Sequence, residues 1–281
     1  MLKGSGYMAA PISNLSKLCI HTMTTKSWTL AEAIEGYSKA GVSGITVWRQ
    51  HLEPQGATES GQMLRDSGLA VVSLCRGGFF PSDTQAGRAK AIDDNLRTID
   101  EAVAIGAPLI VLVCGAVPGM PLSEARRQII DGIAAVLPQA ASGGVKLSIE
   151  ALHPMYADDR SAVNTLKQAN DMVDALDSPN VGVTVDVYHL WWDPDLEREI
   201  VRAGRSILSF HVCDWRTATR DILNDRALMG EGCINIREIR GWVEATGFNG
   251  YNEVEIFSSE YWAMDPGKYL EKIKAAYLSC V

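Results

Sequence analysis

Four side chains with oxygen or nitrogen donor atoms stand at the ends of the last four hydrophobic, strand-like runs of the chain. They are Glu150, Asp186, His211 and Glu255. Each follows β-branched or apolar residues, at the point where a buried strand should meet a loop. Three carboxylates and one imidazole suit a hard or borderline divalent ion, and this oxygen-rich set favours Mn²⁺, with Mg²⁺ or Co²⁺ as alternatives, over a structural Zn²⁺. Two neighbouring oxygens of a polyol or hydroxyketone would complete the coordination of an octahedral ion.

The elements that must position these residues alternate along the chain. Buried parallel strands are predicted at Leu18–Met23, Gly44–Trp48, Ala70–Cys75, Leu109–Cys114, Lys146–Ala151, Gly182–Val187, Ile207–Cys213 and Asn252–Phe257. Amphipathic helices are predicted between them, for example at Leu30–Ala40, Ala86–Ile105, Ser123–Ala141, Val163–Leu176, Ile236–Thr246 and Pro266–Leu278. This alternation predicts an α/β protein that is a single (β/α)8 TIM barrel over residues 1–281, with residues 1–16 as a loose leader.

The alternative architecture is a doubly wound open sheet, which also alternates strands and helices. An open sheet would spread four consecutive strands over ~15 Å, because neighbouring strands lie ~4.8 Å apart. A closed barrel instead points the carboxyl ends of its strands at one place. The convergence that a shared ligand set requires therefore favours the barrel.

Composition limits the partners. The 281 residues carry a net charge of −8, and such an acidic surface disfavours nucleic acid and anionic membranes as partners. No apolar run approaches the ~18 residues that a transmembrane helix needs. Six scattered cysteines form no Cys-x-x-Cys pair, and the first residues lack the apolar stretch of a secretory signal. We therefore expect a cytoplasmic protein that acts on a small molecule.

The second half of the chain resembles the xylose-isomerase-like TIM barrel superfamily of sugar isomerases, ketose 3-epimerases and inosose-processing enzymes. The matching segments are Ile149–Pro154, Val185–His189, Phe210–Asp214, Asp225–Gly232 and Val254–Phe257. The Glu, Asp, His and Glu that bind metal in that family correspond, in order, to Glu150, Asp186, His211 and Glu255. His189, three residues after the aspartate, and Arg226, four residues before the Gly-x-Gly turn, resemble its substrate-binding positions. The chain departs from the family pattern at His153, where Asn is frequent, and at Ala151 and Met229, where Pro is frequent.

The resemblance implies a divalent-metal-dependent sugar isomerase or epimerase that acts on a ketose or related polyol-ketone through an enediolate. It implies that Glu150 and Glu255 remove and return the proton, that His189 and Arg226 hold hydroxyl groups, and that the protein is a homodimer. A lyase or dehydratase acting on an inosose, keto acid or 3-keto-glycoside is the close alternative, since it shares the first proton abstraction. An AP-endonuclease-like phosphodiesterase is disfavoured by a content of five histidines, and a noncatalytic binding module by the intact ligand set.

Several further residues belong to this prediction. Trp48 and His153 are the preferred additional substrate-binding residues, because aromatic faces and imidazoles suit sugar surfaces. Other side chains at or just beyond strand ends could line the pocket: His21, Arg49, His51, Arg76 and Cys114. Glu253 shares a strand face with Glu255 and is an alternative ligand, although the Val-Glu-Ile-Phe context favours Glu255. We expect the charged run Asp158–Arg160 on the solvated surface, and the loop from Asp214 to Gly230 as a partial lid.

Overall fold

Eight parallel strands close into a barrel in the computed structural model, which describes residues 8–281. The strands are β1 Leu18–His21, β2 Gly44–Trp48, β3 Ala70–Gly78, β4 Leu109–Val113, β5 Lys146–Glu150, β6 Val181–Asp186, β7 Ile207–Val212 and β8 Asn252–Val254. Each pairs with its sequence neighbours, and β8 closes the ring on β1. The predicted (β/α)8 barrel is confirmed, and the open-sheet alternative is excluded.

Eight helices of two or more turns surround the barrel within residues 8–281. They are α1 Leu30–Lys39, α2 Ala57–Ser67, α3 Gln85–Ile105, α4 Leu122–Ser142, α5 Leu166–Leu176, α6 Leu196–Ala203, α7 Ile236–Ala245 and α8 Pro266–Cys280. Their ends follow local capping chemistry. The Thr29 side chain accepts from the backbone of Glu32 while the Glu32 carboxylate accepts from the backbone of Thr29, which forms a capping box at α1. Left-handed Gly106 ends α3.

Most strand ends lie within two residues of the sequence-based prediction, and two differ from it by three residues. Strand β3 continues beyond Cys75 to Gly78, and Gly77 and Gly78 pair with β4. A side chain at Gly77 would collide with Asn95 and Leu112, so the glycine permits a close approach here instead of ending the strand. Strand β8 ends at Val254, before the predicted Phe257, although the Glu255 backbone still donates to the Val212 carbonyl.

The segment before β1 is attached to the barrel where the structure describes it. Residues 1–7 of the predicted leader lie outside the described residues. Ala9 is buried and exchanges hydrogen bonds with Arg237 at the start of α7. All six cysteines are free. No helix within residues 8–281 combines the length and apolar character needed to cross a membrane.

Candidate metal centre

Four side chains converge at the carboxyl ends of β5 to β8. The residues are Glu150, Asp186, His211 and Glu255. Each offers one donor atom, and these four atoms all lie within 4.8 Å of one another. All four residues are buried, and Asp186 and His211 have no solvent exposure. The four residues are named here the carboxylate–histidine cluster. Their role as metal ligands remains a prediction, but the structure brings together the side chains that the sequence singled out.

Strand register produces this convergence. Asp186, at the end of β6, is the direct partner of His211 on β7, and His211 is in turn the partner of Glu253 on β8. Side chains two residues apart on a strand share a face, so Glu255 follows Glu253 toward the barrel mouth. Asp186 is fixed further, because one of its oxygens accepts a 2.7 Å hydrogen bond from the Tyr188 backbone.

The donor set fits a cation. Nδ1 of His211 lies 3.1 Å from Oε1 of Glu150, but within residues 8–281 neither atom has a well-aligned hydrogen-bond partner. Buried polar atoms without partners are costly, and an ion placed among them would satisfy both. Burial, with added repulsion from Glu150 and opposed by the attraction of Arg226, raises the pKa of Asp186 to about 7. Three buried carboxylates in one place require compensating positive charge.

Arg226 supplies part of that charge. Its Nη1 donates to Glu255 Oε2 at 2.7 Å and lies 3.5 Å from Asp186 Oδ2, while Nη2 lies 3.1 Å from Nε2 of His189. Burial alone would raise the pKa of Glu255, but the charges of Arg226 and then His21 hold it well below its usual range. Burial and then Arg226 lower the pKa of His189 well below its usual value, so this imidazole is neutral near pH 7.

Glu253, the alternative ligand, lies outside the carboxylate–histidine cluster. Its Oε2 accepts from Thr46 Oγ1 at 2.6 Å and lies 3.2 Å from His21 Nε2, and its Oε1 accepts from the Ser209 hydroxyl. The other nitrogen of His21 lies 3.1 Å from Glu255 Oε1. His21 therefore links the two glutamates, with Glu253 bonded inside the barrel and Glu255 at its mouth.

A narrow cavity that opens to solvent lies against the cluster. Its charged and imidazole lining residues are Arg76, Glu150, Arg160, His189, Arg226 and Glu255. Its apolar and aromatic lining residues are Trp48, Val113, Leu152, Tyr156, Leu223 and Phe257. A cleft that combines apolar and aromatic walls with convergent polar groups is the usual form of a small-molecule site.

The segment from Asp214 to Gly230 covers one side of this cavity, as expected of a partial lid. Leu223 lines the cavity, and the Tyr156 hydroxyl donates to the Ile222 carbonyl. A short antiparallel ribbon joins residues 214–215 to residues 226–227, and the Arg226 backbone donates to the Phe257 carbonyl at 2.9 Å. The segment therefore places Arg226 at the cluster.

The Asp214 carboxylate organises the end of this segment. It accepts backbone hydrogen bonds of 2.9 Å from Gly230, 3.0 Å from Gly232 and 2.9 Å from Ile234. A side chain at Gly232 would collide with this carboxylate and with the Trp215 carbonyl. The Gly-x-Gly turn is therefore required for the close approach of backbone to carboxylate.

The predicted substrate-binding residues are only partly brought together. Trp48, His189 and Arg226 line the cavity. His153 does not: its ring lies between Trp192 and Trp215, at centroid distances of 5.7 and 5.0 Å, and its Nδ1 accepts from the Met155 backbone.

The outcome also differs among the additional pocket candidates. Arg49 is engaged outside the cavity, in ion pairs with Asp94 and Glu101. Arg76 lines the cavity, and so does Arg160, which was expected on the solvated surface. The loop after β5 folds back over the barrel mouth at Arg160, and a charged tripeptide gives no local signal of such a turn.

A family model described as a xylose isomerase-like TIM barrel matches residues 34–277. Among characterised relatives, an inosose isomerase of Halalkalibacterium halodurans is 24% identical over 92% of this chain and 94% of its own length. A 3-dehydroshikimate dehydratase of Pseudomonas putida is 27% identical over 84% of this chain but 37% of its own length. The chain is thus similar over most of its length to enzymes.

Solved structures share the fold. A Sinorhizobium meliloti 1021 protein is 46% identical, with a TM-score of 0.91 over 95% of this chain and 99% of that one. The IolI protein, solved with a bound zinc atom, is 21% identical, with a TM-score of 0.82 over 92% of this chain and 96% of that one.

Proposed function

The chain belongs to the xylose isomerase-like TIM barrel family, and we propose that it is a divalent-metal-dependent sugar isomerase or epimerase acting on a ketose or related polyol-ketone. The observation that carries this proposal is the buried carboxylate–histidine cluster at the wall of a small cavity. The similarity of the chain to inosose isomerase over most of its length supports the same class of reaction.

The metal would be held by Glu150, Asp186, His211 and Glu255. Once bound, it would polarise a substrate carbonyl and acidify the neighbouring C–H bond. We propose Mn²⁺, with Mg²⁺ or Co²⁺ as alternatives, because three of the four donors are carboxylates. The zinc found in IolI, whose fold is the same, makes Zn²⁺ the first competitor to test.

The two glutamates are suited to opposite ends of a proton transfer. Glu150 ends β5 and Glu255 follows β8, so two strands separate them around the barrel mouth. One carboxylate would take a proton from the carbon beside the carbonyl, and the other would return it to the opposite face or to the neighbouring carbon. Both Arg226 and neutral His189 line the cavity wall. Arg226 would donate to the substrate hydroxyls and stabilise the enediolate, and His189 would donate to or accept from the hydroxyls.

Glu150→Gln tests this assignment. The amide keeps the shape of the side chain but cannot remove a proton, so turnover should fall at least ~100-fold when the variant is saturated with metal. Metal content measured by inductively coupled plasma mass spectrometry separates loss of the base from loss of the ion. Glu197→Gln, which changes an exposed glutamate, is the matched control. Full turnover by the metal-saturated Glu150 variant would remove the proposed acid–base role.

A lyase or dehydratase is the second candidate. The similarity to 3-dehydroshikimate dehydratase favours it; the glutamate that had taken the substrate proton would pass it to the leaving group, because His189, held neutral by its lowered pKa, is too weak an acid to do so. The two reactions share the first proton abstraction and differ in the product. Proton NMR distinguishes them, because a lyase forms a new alkene or releases an aglycone, whereas an isomerase keeps the carbon skeleton intact.

A further inference from the structure

Two arginines of the cavity have no carboxylate partner. Arg76 on β3 and Arg160 in the loop after β5 both line the cavity and are half-buried. Among residues 8–281, neither side chain makes an ion pair or a conventional side-chain hydrogen bond. Each guanidinium instead lies over an aromatic ring: that of Arg76 is 4.3 Å from the ring centroid of Phe79, and that of Arg160 is 5.7 Å from the ring centroid of Tyr156. By contrast, Arg226 in the same cavity is engaged by Glu255 and Asp186.

The two guanidinium groups line the same cavity, so their charges act on each other. Burial and then the charge of Arg160 lower the pKa of Arg76. Two like charges held together beside apolar walls repel each other and lack the full solvation of bulk water. An anion between them would remove both costs, and the planar fork of arginine matches the oxygens of a carboxylate or phosphate.

The charge of the remainder of the site does not require these arginines. Glu150, Asp186 and Glu255 contribute three negative charges, which one divalent ion and Arg226 would balance. Inside the barrel, the charge of Glu253 is balanced by His21, which also contacts Glu255. The positive charge of Arg76 and Arg160 is therefore in excess, in a chain whose net charge is −8.

The position of the pair defines where the anion would lie. Arg76 belongs to β3 and Arg160 follows β5, whereas Arg226 and Glu255 lie beside β8, across the barrel mouth. Val113, at the end of the intervening β4, and Leu152 form apolar cavity wall on the same side. A molecule in the cavity would thus meet the cluster at one end and the arginine pair at the other.

We propose that the substrate carries an anionic oxyacid group, a carboxylate or a phosphate, which Arg76 and Arg160 bind at the end of the cavity away from Glu255. This inference rests on the proposed function and narrows its substrate class from neutral sugars to sugar acids, keto acids or sugar phosphates. The arginine pair acts as the determinant of specificity, and the reacting carbons lie at the cluster.

The test measures anion binding without turnover. Inorganic phosphate and acetate are titrated separately into the Mg²⁺-loaded protein by isothermal titration calorimetry at constant ionic strength. We expect saturable binding at one site, weakened at least tenfold in Arg76→Gln and in Arg160→Gln. The anion that binds more tightly identifies the substrate group as phosphate or carboxylate. The matched control is Arg205→Gln, because this arginine is exposed and precedes β7, at the opposite end of the barrel.

Arg76→Lys and Arg160→Lys provide a second set of variants that keep the charge but lose the bidentate fork. They should bind the anion with intermediate affinity, and their circular dichroism should match that of the unaltered protein. Absence of saturable binding, or an affinity in all four arginine-pair variants equal to that of the unaltered protein, would overturn the inference. If ketones exchange deuterium but no anion binds, only this inference is wrong. If anions bind at the pair but no substrate is turned over, the proposed function is the part that is wrong.

Discussion

Glu253 and Glu255 show how two identical residues on one strand face acquire different roles. Glu253 is surrounded by the hydroxyls of Thr46, Ser73 and Ser209 and by His21. Burial alone would raise the pKa of Glu253, but the hydrogen bond from His21, the charges of His211 and His21 and the hydrogen bond from Ser209 lower it to about 2. Glu255 instead faces the cavity and Arg226. A carboxylate so fully hydrogen-bonded is a structural anion, which supports Glu255 as the proposed ligand.

Glu253→Gln should therefore destabilise the protein in a pH-dependent manner. Because the folded pKa lies below the ordinary 4.5, this carboxylate contributes about 3 kcal/mol above pH 4.5, and the contribution is lost as the pH falls toward 2. In urea unfolding at pH 6, the free energy of unfolding of the variant should be well below that of the unaltered protein. The difference between the two free energies should be smaller at pH 3.5. Glu53→Gln, at an exposed site, is the control. Equal unfolding free energies at pH 6 would contradict this role.

Residue patterns in the sequence predicted the cluster but not its surroundings. Glu150, Asp186, His211 and Glu255 were predictable because each follows its own apolar run, and parallel strands bring such positions to one edge. Arg160 and the hydroxyl shell of Glu253 have no such local signal. Thr46 and Ser209 are ordinary strand residues until barrel closure brings β2 and β7 around the same carboxylate.

At the scale of elements, the segment from Asp214 to Gly230 is the least regular part of the site. The sequence predicted a partial lid there, but not that Asp214 would gather the backbone amides of the Gly-x-Gly turn. Strand ends were similarly difficult to predict: Gly77 and Gly78 lengthen β3, where glycine normally indicates a strand end. In both places a tertiary contact determines the backbone path.

Gly232→Ala tests the importance of this segment. The added methyl group would collide with Asp214 and the Trp215 carbonyl, and overpacking of this kind costs about 1–3 kcal/mol. We expect a lower melting temperature and lower activity, because the displaced segment also carries Arg226. Gly267→Ala, in the exposed first turn of α8, should change neither. Unaltered stability and activity in the Gly232 variant would show that the turn tolerates a side chain.

At the scale of the whole molecule, barrel closure is what makes the site. The carboxylate–histidine cluster joins four consecutive strands, and His21 on β1 contacts both Glu253 and Glu255 on the far side of the closure. The alternation of apolar and amphipathic runs predicted this architecture from sequence, since it depends on periodicity summed over many residues. A ligand held by four strands should stabilise the entire fold.

Metal should therefore raise the thermal stability of the protein. An ion that binds the folded state alone adds about 2.7 kcal/mol at a concentration of 100 times its Kd. Differential scanning fluorimetry with Mn²⁺ should show a rise in Tm that depends on metal concentration. Asp186→Asn should abolish the rise, whereas Asp195→Asn, at an exposed position, should retain it. An equal rise in both variants would place the bound ion elsewhere.

The most direct test of the central claim is hydrogen exchange at the substrate carbon. The Mn²⁺-loaded protein is incubated in D₂O with ketoses, inososes and 3-keto-glycosides, including members with a carboxylate or phosphate group, and each is followed by proton NMR. We predict deuterium at a carbon beside the carbonyl of at least one compound, with the skeleton intact, and loss of exchange after chelation of the metal. Exchange that persists unchanged in the metal-free protein would contradict metal-dependent proton abstraction, as would no exchange and no elimination across the panel.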